Sequence, residues 1–120
     1  MCKLVSMTFP TGVTANVADI KVSKLKKYLT VFPRLKSFEK VYLFGSTLEE
    51  KCRDESDIDF MVIYNDEDKM CDDMTWVLPE IFPEYVDDDF LRTSIEGEHS
   101  YQTGAARKAL SKGVLIYERN

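Results

Sequence analysis

The chain is poor in the residues that build cross-linked or metal-clamped folds. It has three cysteines and a single histidine in 120 residues. Cys2, Cys52 and Cys71 are odd in number and show no Cys-x-x-Cys spacing, so neither a disulfide framework nor a zinc site is indicated, and the thiols read as unpaired. A lone histidine, His99, excludes a multi-histidine metal centre and is expected in a polar loop. Long apolar runs are missing too. The stretch Phe60–Tyr64 falls far short of the roughly 20 residues a bilayer-spanning helix needs. The first residues lack the apolar core of a secretory signal, and the expectation is a cytoplasmic protein without membrane contact. Positive charge is likewise short, with 16 Lys and Arg against 21 Asp and Glu and a net charge of −5. That balance argues against a nonspecific nucleic-acid clamp, which gains affinity by releasing counterions from a basic face. Stable nucleic-acid binding is not expected, and a small-molecule or protein acceptor fits better.

What remains is ordinary for a globular domain: 44% hydrophobic and 31% charged residues, enough for one modest core. Residues 1–120 are read as a single domain, without repeats, linkers or low-complexity segments. Residues 1–18 show no clear period and are expected to be irregular or a weak strand. From Asp19, the residues Val22, Leu25, Leu29 and Phe32 recur at helical spacing, with Asp19 or Ser23 as cap and Pro33 as stop. Lys40–Phe44 reads as a buried strand, Ser46–Lys51 as a short helix, Cys52–Ser56 as a charged loop and Ile58–Tyr64 as a second buried strand. Met70, Met74, Val77, Leu78 and Ile81 mark a helix that Pro79 must end or kink, with Trp76 as core filling and Asp66–Asp68 at its positive end. Tyr85–Arg92 reads as a third strand. Glu96–Thr103 is polar, Ala105–Lys112 is helical with Gly113 just past its end, and Val114–Tyr117 is a closing strand. The fold class is α/β (α+β), a small mixed sheet flanked by helices.

The chemistry concentrates between two strands. One apolar run ends in Gly45-Ser46. After ten residues, Asp57-Ile58-Asp59 opens the next. Carboxylates at i and i+2 of a strand share a face, with Cα atoms roughly 6.6 Å apart. Such a pair suits Mg²⁺, which takes few carboxylates and leaves positions for substrate phosphates. A Gly-Ser turn can present backbone N–H groups to an anion. If the Asp87–Asp89 strand is a neighbour, one of its acids joins Asp57 and Asp59, and two Mg²⁺ about 4 Å apart could flank an in-line displacement at phosphorus. Asp87 and Asp89 share a parity and Asp88 points away. The Asp-x-Asp pair alone also fits phosphatases and glycosyltransferases, or acids at a solvent-facing strand end.

The combined pattern is narrower. Leu43-Phe44-Gly45-Ser46, then Ser56-Asp57-Ile58-Asp59-Phe60, resembles the minimal nucleotidyltransferase family of the DNA polymerase beta superfamily. Arg53-Asp54-Glu55 resembles the lead-in to its acids, Asp89-Phe-Leu-Arg-Thr-Ser its third-acid strand, and Lys112-Gly-Val-Leu-Ile-Tyr-Glu118 its closing segment. The resemblance covers about residues 22–118. It implies a polymerase-beta-like nucleotidyltransferase fold, with Asp57, Asp59 and Asp89 (ahead of Asp87) as catalytic metal ligands for one or two Mg²⁺. Gly45, Ser46 and Arg53 would bind the nucleoside triphosphate. It further implies transfer of a nucleoside monophosphate, AMP from ATP, to an acceptor hydroxyl. The suggested acceptor is a tyrosine of a helical HEPN-type toxin, in an antitoxin role. One departure is plain: where the family commonly continues Gly-Ser with Arg-Ala-Arg-Gly, this chain has Thr47-Leu48-Glu49-Glu50. The alternatives are therefore a catalytically weak binding module or a nucleotide sensor acting by contact.

Overall fold

A computed structural model of the chain describes residues 3–50, 56–100, 107 and 110–120. The first correction comes at once. In place of irregular chain or one weak strand, two strands precede Asp19: β1 (Leu4–Thr8) and β2 (Thr14–Ala18) form an antiparallel hairpin with Val5 opposite Val17 and Met7 opposite Ala15. Those four residues and Phe9 alternate with polar ones, and the inward set packs on the main core, as period-2 patterning requires. Gly12, at φ +89°, makes the turn, and its N–H donates to the Phe9 carbonyl at 2.8 Å.

A 3₁₀ turn at Asp19–Lys21 leads into α1 (Val22–Val31), and a second at Phe32–Arg34 carries Pro33 and ends it. Neither Asp19 nor Ser23 caps the helix by a side-chain hydrogen bond. The buried stripe is Leu25, Tyr28, Val31 and Phe32, with Val22 and Leu29 at its margin. Tyr28 is its centre, stacked on Phe32 and meeting Phe60 and Phe82 edge-on at centroid distances of 4.8 and 4.7 Å.

The main sheet has four strands in the order β5-β4-β3-β6: β3 (Phe38–Phe44), β4 (Asp59–Tyr64), β5 (Asp89–Ser94) and β6 (Val114–Glu118). β3 runs antiparallel to both neighbours, and β4 and β5 are parallel. Parity divides the two faces. Val41, Leu43, Phe60, Val62 and Phe90 face α1 and the hairpin, whereas Met61 and Ile63 pack with Tyr42, Phe44, Leu91 and Leu110 on the other side. This is the mixed α+β sheet with flanking helices that the patterning predicts.

Several expected elements differ. The short helix at Ser46–Lys51 is a 3₁₀ turn, Gly45–Leu48. The helix after Asp66 comes in three pieces: α2 (Glu67–Asp72), a π turn (Asp73–Val77) and α3 (Leu78–Ile81). The Asp66 side chain caps it, accepting from the Lys69 N–H at 2.9 Å. The wider π turn shifts the phase of the apolar stripe. Trp76, expected in the core, is instead 70% exposed. Pro79 falls in the first turn of α3, where a missing N–H costs least. The third strand starts only at Asp89, because Pro83–Asp87 forms a 3₁₀ turn. α4 (Ile95–Ser100) includes position 99, which is helical rather than loop. Of the helix expected at Ala105–Lys112, residues 107 and 110–112 are described and helical. Cys2, Cys52 and Arg53 lie outside the described residues. Among the described residues no helix is long and apolar enough to cross a membrane.

One buried carboxylate ties these parts together. Asp88, whose side chain is 3% exposed, accepts from the Ile58 N–H at 2.9 Å and from the Tyr28 hydroxyl at 2.5 Å, and pairs with the Lys24 ammonium at 2.8 Å. The Asp89 N–H returns a 3.0 Å bond to the Ile58 carbonyl. Burial and the Asp88 charge push the Tyr28 phenol far above its ordinary range, so it stays a donor at all working pH values. Replacing Asp88 by Ala would leave the ammonium, hydroxyl and amide short of their shared acceptor. We expect Asp88→Ala to cost about 3 kcal/mol and Tyr28→Phe about 1.5 kcal/mol in urea unfolding; a loss under about 0.5 kcal/mol for Asp88→Ala would mean the clamp is not structural.

Candidate active site

The site is built where β3 and β4 meet at one end of the sheet. The hydrophobic strand β3 must stop at Phe44, because Gly45 takes φ +82°, a left-handed conformation that only glycine adopts cheaply. A second constraint acts on the same residue. A Cβ on Gly45 would lie 2.3 Å from the Asp59 Oδ2, so the backbone turns over the carboxylate with no room for a side chain. Ser46 follows in the turn, and its carbonyl accepts from the Glu49 N–H at 2.9 Å. Thr47 is fully buried, and its hydroxyl has no hydrogen-bond partner among the described residues.

β4 begins at Asp59, opposite Phe44 on one side and Asp89 on the other. Asp59 and Asp89 are thus register partners across parallel strands, on the same face as Met61 and Leu91. Their carboxyl groups share a hydrogen bond. Asp57 is exposed, two residues earlier, and near enough for its charge to act on Asp59. Asp87 belongs to the 3₁₀ turn and is not on the strand, so of the two acids of like parity it is Asp89 that faces Asp59. Asp88 points the other way, into the clamp on α1, as strand parity demands. Sequence reasoning placed Asp88 facing away but gave it no role. It also missed Lys21, which is buried and donates through Nζ to the Ser56 carbonyl at 2.5 Å, just ahead of Asp57. A readable signal was there: Lys21, Lys24 and Tyr28 recur at three- and four-residue spacing on one helical face.

Asp59 is half-buried, and its carboxyl is pushed up to about 6. Desolvation is the main cause, followed by the charge of Asp89, the hydrogen bond between the two groups, and the charges of Asp57 and Asp88. Crowded acids of this kind are what a cation relieves. Among the described residues no three His, Cys, Asp or Glu side chains already converge as a metal cage. Mg²⁺ does not require one, since it is held by one or two carboxylates plus water and substrate phosphates. The Asp59–Asp89 pair fits that demand.

Beside Asp59 lies a cavity of about 340 Å³ lined by Phe44, Gly45, Leu48, Glu49, Asp59 and Lys112, at the small end of ligand clefts. A glycine turn, an acid pair across parallel strands and an adjoining cleft thus meet at one end of the sheet. The comparison with known families agrees: residues 23–120 match the family described as Polymerase beta, Nucleotidyltransferase. The chain belongs to this polymerase-beta-like nucleotidyltransferase family. Among curated proteins, none matches it.

Two outcomes test this geometry. Because the folded state holds the Asp59 proton more tightly than the unfolded chain, the stabilisation from protonation is complete below about pH 4 and is lost as pH rises through about 6. Asp59→Asn should therefore stabilise the metal-free protein at pH 7.5, by about 1 kcal/mol once solvent screening of a half-buried group is allowed for. The gain should vanish at pH 4 in urea titrations; an equal gain at both pH values would show that ionisation is not its source. Gly45→Ala should cost about 2 kcal/mol from the positive φ and the clash together. Combining it with Asp59→Ala should recover the clash part but not the φ part, so strictly additive losses in a double-mutant cycle would place the carboxylate elsewhere.

Proposed function

We propose that the protein is a Mg²⁺-dependent nucleotidyltransferase of the minimal type that transfers AMP from ATP to an acceptor hydroxyl. The observation that carries this reading is the register of Asp59 with Asp89 directly beneath the Gly45 turn. Asp57, Asp59 and Asp89 would hold the metal, which when bound supplies charge neutralisation at the reacting phosphate and its leaving pyrophosphate. Gly45 lets the backbone approach the phosphates, and the Ser46 hydroxyl donates to them. Arg53, by its resemblance to the family's lead-in, is a further phosphate contact. Asp89 takes the acceptor hydroxyl's proton as its oxygen attacks the α-phosphorus. The raised affinity of Asp59 for a proton means that below about pH 6 a proton competes with the metal for the site.

ATP as donor, a tyrosine of a HEPN-type toxin as acceptor and the antitoxin role rest on the resemblance, and a cytoplasmic location rests on the shortness of the apolar runs. A second reading is favoured by Glu49, an acid that lines the cavity where phosphates would lie: a module that binds its partner or senses nucleotide without turnover. Incubation with α-labelled ATP, Mg²⁺ and a copurified partner separates the two. Transfer of label to the partner, reduced at least about 100-fold by Asp57→Asn and by EDTA, is the expected result. No transfer with any nucleoside triphosphate, while partner binding persists, would leave the contact-only module.

A further inference from the structure

We propose that Lys112 is the phosphate-gripping cation of this cavity, and that it selects a polyphosphate-bearing ligand over a neutral nucleoside. This rests on the nucleotide-transfer reading above. The cavity walls otherwise oppose an anion: Asp59 and Glu49 both line it, and Lys112 is the basic residue among its described lining. The Gly45 turn continues as Ser46-Thr47-Leu48-Glu49-Glu50, with no positive charge. A nucleoside triphosphate entering such a cleft needs a cation from elsewhere, beyond any metal held at the acid pair.

Strand register shows why residue 112 provides it. Leu43 pairs with Val114 in the antiparallel β3–β6 ladder, and Phe44 pairs with Asp59 in β3–β4. Continuing the β3–β6 ladder past the end of β3 brings position 112 level with Gly45 on one flank, while on the other the Asp59 carboxylate lies against the Gly45 backbone. The glycine turn thus has an acid on its β4 side and a base on its β6 side. Gly113 separates Lys112 from β6, so the ammonium is carried at the last turn before the strand rather than within it.

Three described lysines near the sheet are committed elsewhere. Lys21 donates to the Ser56 carbonyl, Lys24 pairs with Asp88, and Lys40 pairs with Glu98 at 3.2 Å on the opposite part of β3. Lys112 is exposed and makes no ion pair among the described residues. An exposed lysine at a cleft mouth acts as a mobile point charge suited to phosphate rather than to base recognition. Glu49, which lines the same cavity, sets the opposing charge, so the two residues tune affinity in opposite directions.

Isothermal calorimetry on the full chain provides the test, using Mg·ATP, Mg·tripolyphosphate and adenosine as separate titrants. Lys112→Gln should weaken both Mg·ATP and Mg·tripolyphosphate about tenfold, equivalent to about 1.4 kcal/mol. Adenosine binding and the thermal midpoint should not move, because the side chain is exposed. Lys112→Arg should stay within about threefold of wild type, and Glu49→Gln should bind Mg·ATP more tightly. Lys112→Gln binding Mg·ATP within twofold of wild type would overturn the assignment while leaving the transferase reading intact. Wild-type protein that binds no nucleoside triphosphate at all would overturn both. A loss shared equally by adenosine would show that Lys112 shapes the cleft instead of gripping phosphate.

Discussion

The parallel pairing of β4 with β5 is the constraint on which the site depends, and Asp88 is what locks it in register. Parallel strands cannot be joined by a tight hairpin, so their alignment must come from tertiary contacts. Here a buried carboxylate at the entry to β5 accepts the Ile58 amide at the entry to β4, while Tyr28 and Lys24 hold it from α1. With Asp88 turned toward the helix, strand alternation turns Asp89 toward Asp59 on the far face. The same three-acid run thus serves two purposes on opposite sides of the sheet. Asp87, at the end of the preceding 3₁₀ turn, serves neither.

The electrostatics follow from that geometry. Burial at a strand end, under a backbone turn that excludes a side chain and with the Asp89 carboxyl held against it, pushes the Asp59 carboxyl up to about 6. The arrangement costs stability where Asp59 is ionised, and under the proposed function a divalent cation would relieve it. Glu49 adds a further negative charge on the cavity wall and Lys112 a positive one, so the cleft has a polarity across the glycine turn.

Much of the site could be read from the chain because its signals are local. Glycine before serine at the end of an apolar run, and aspartates at i and i+2 opening another, rest on period-2 geometry and on glycine's backbone freedom. Asp89 over Asp87 could not be read that way, since strand parity made both eligible and only the 3₁₀ turn at Pro83–Asp87 removed one. The hairpin of residues 4–18 was missed although Val5, Met7, Ala15 and Val17 alternate, because threonines and the Phe9–Val13 connection masked the period. Trp76 was misplaced for a different reason: a π turn shifts helical phase, and no composition signal marks where the extra residue falls.

By itself, then, the sequence determined the mixed α+β class, the position of β3, β4 and β6, and the Gly45-Ser46 and Asp57-x-Asp59 elements of the candidate site. Each follows from patterning within a few residues, where covalent geometry sets which side chains share a face. Only the tertiary structure decided that Asp89 meets Asp59, that Tyr28 and Lys24 of α1 hold Asp88 while Lys21 holds the Ser56 carbonyl, and that Lys112 arrives beside Gly45. Those juxtapositions join residues 30 to 67 positions apart. Strand register and the burial of one charged pair choose them, and neither is encoded within a single element.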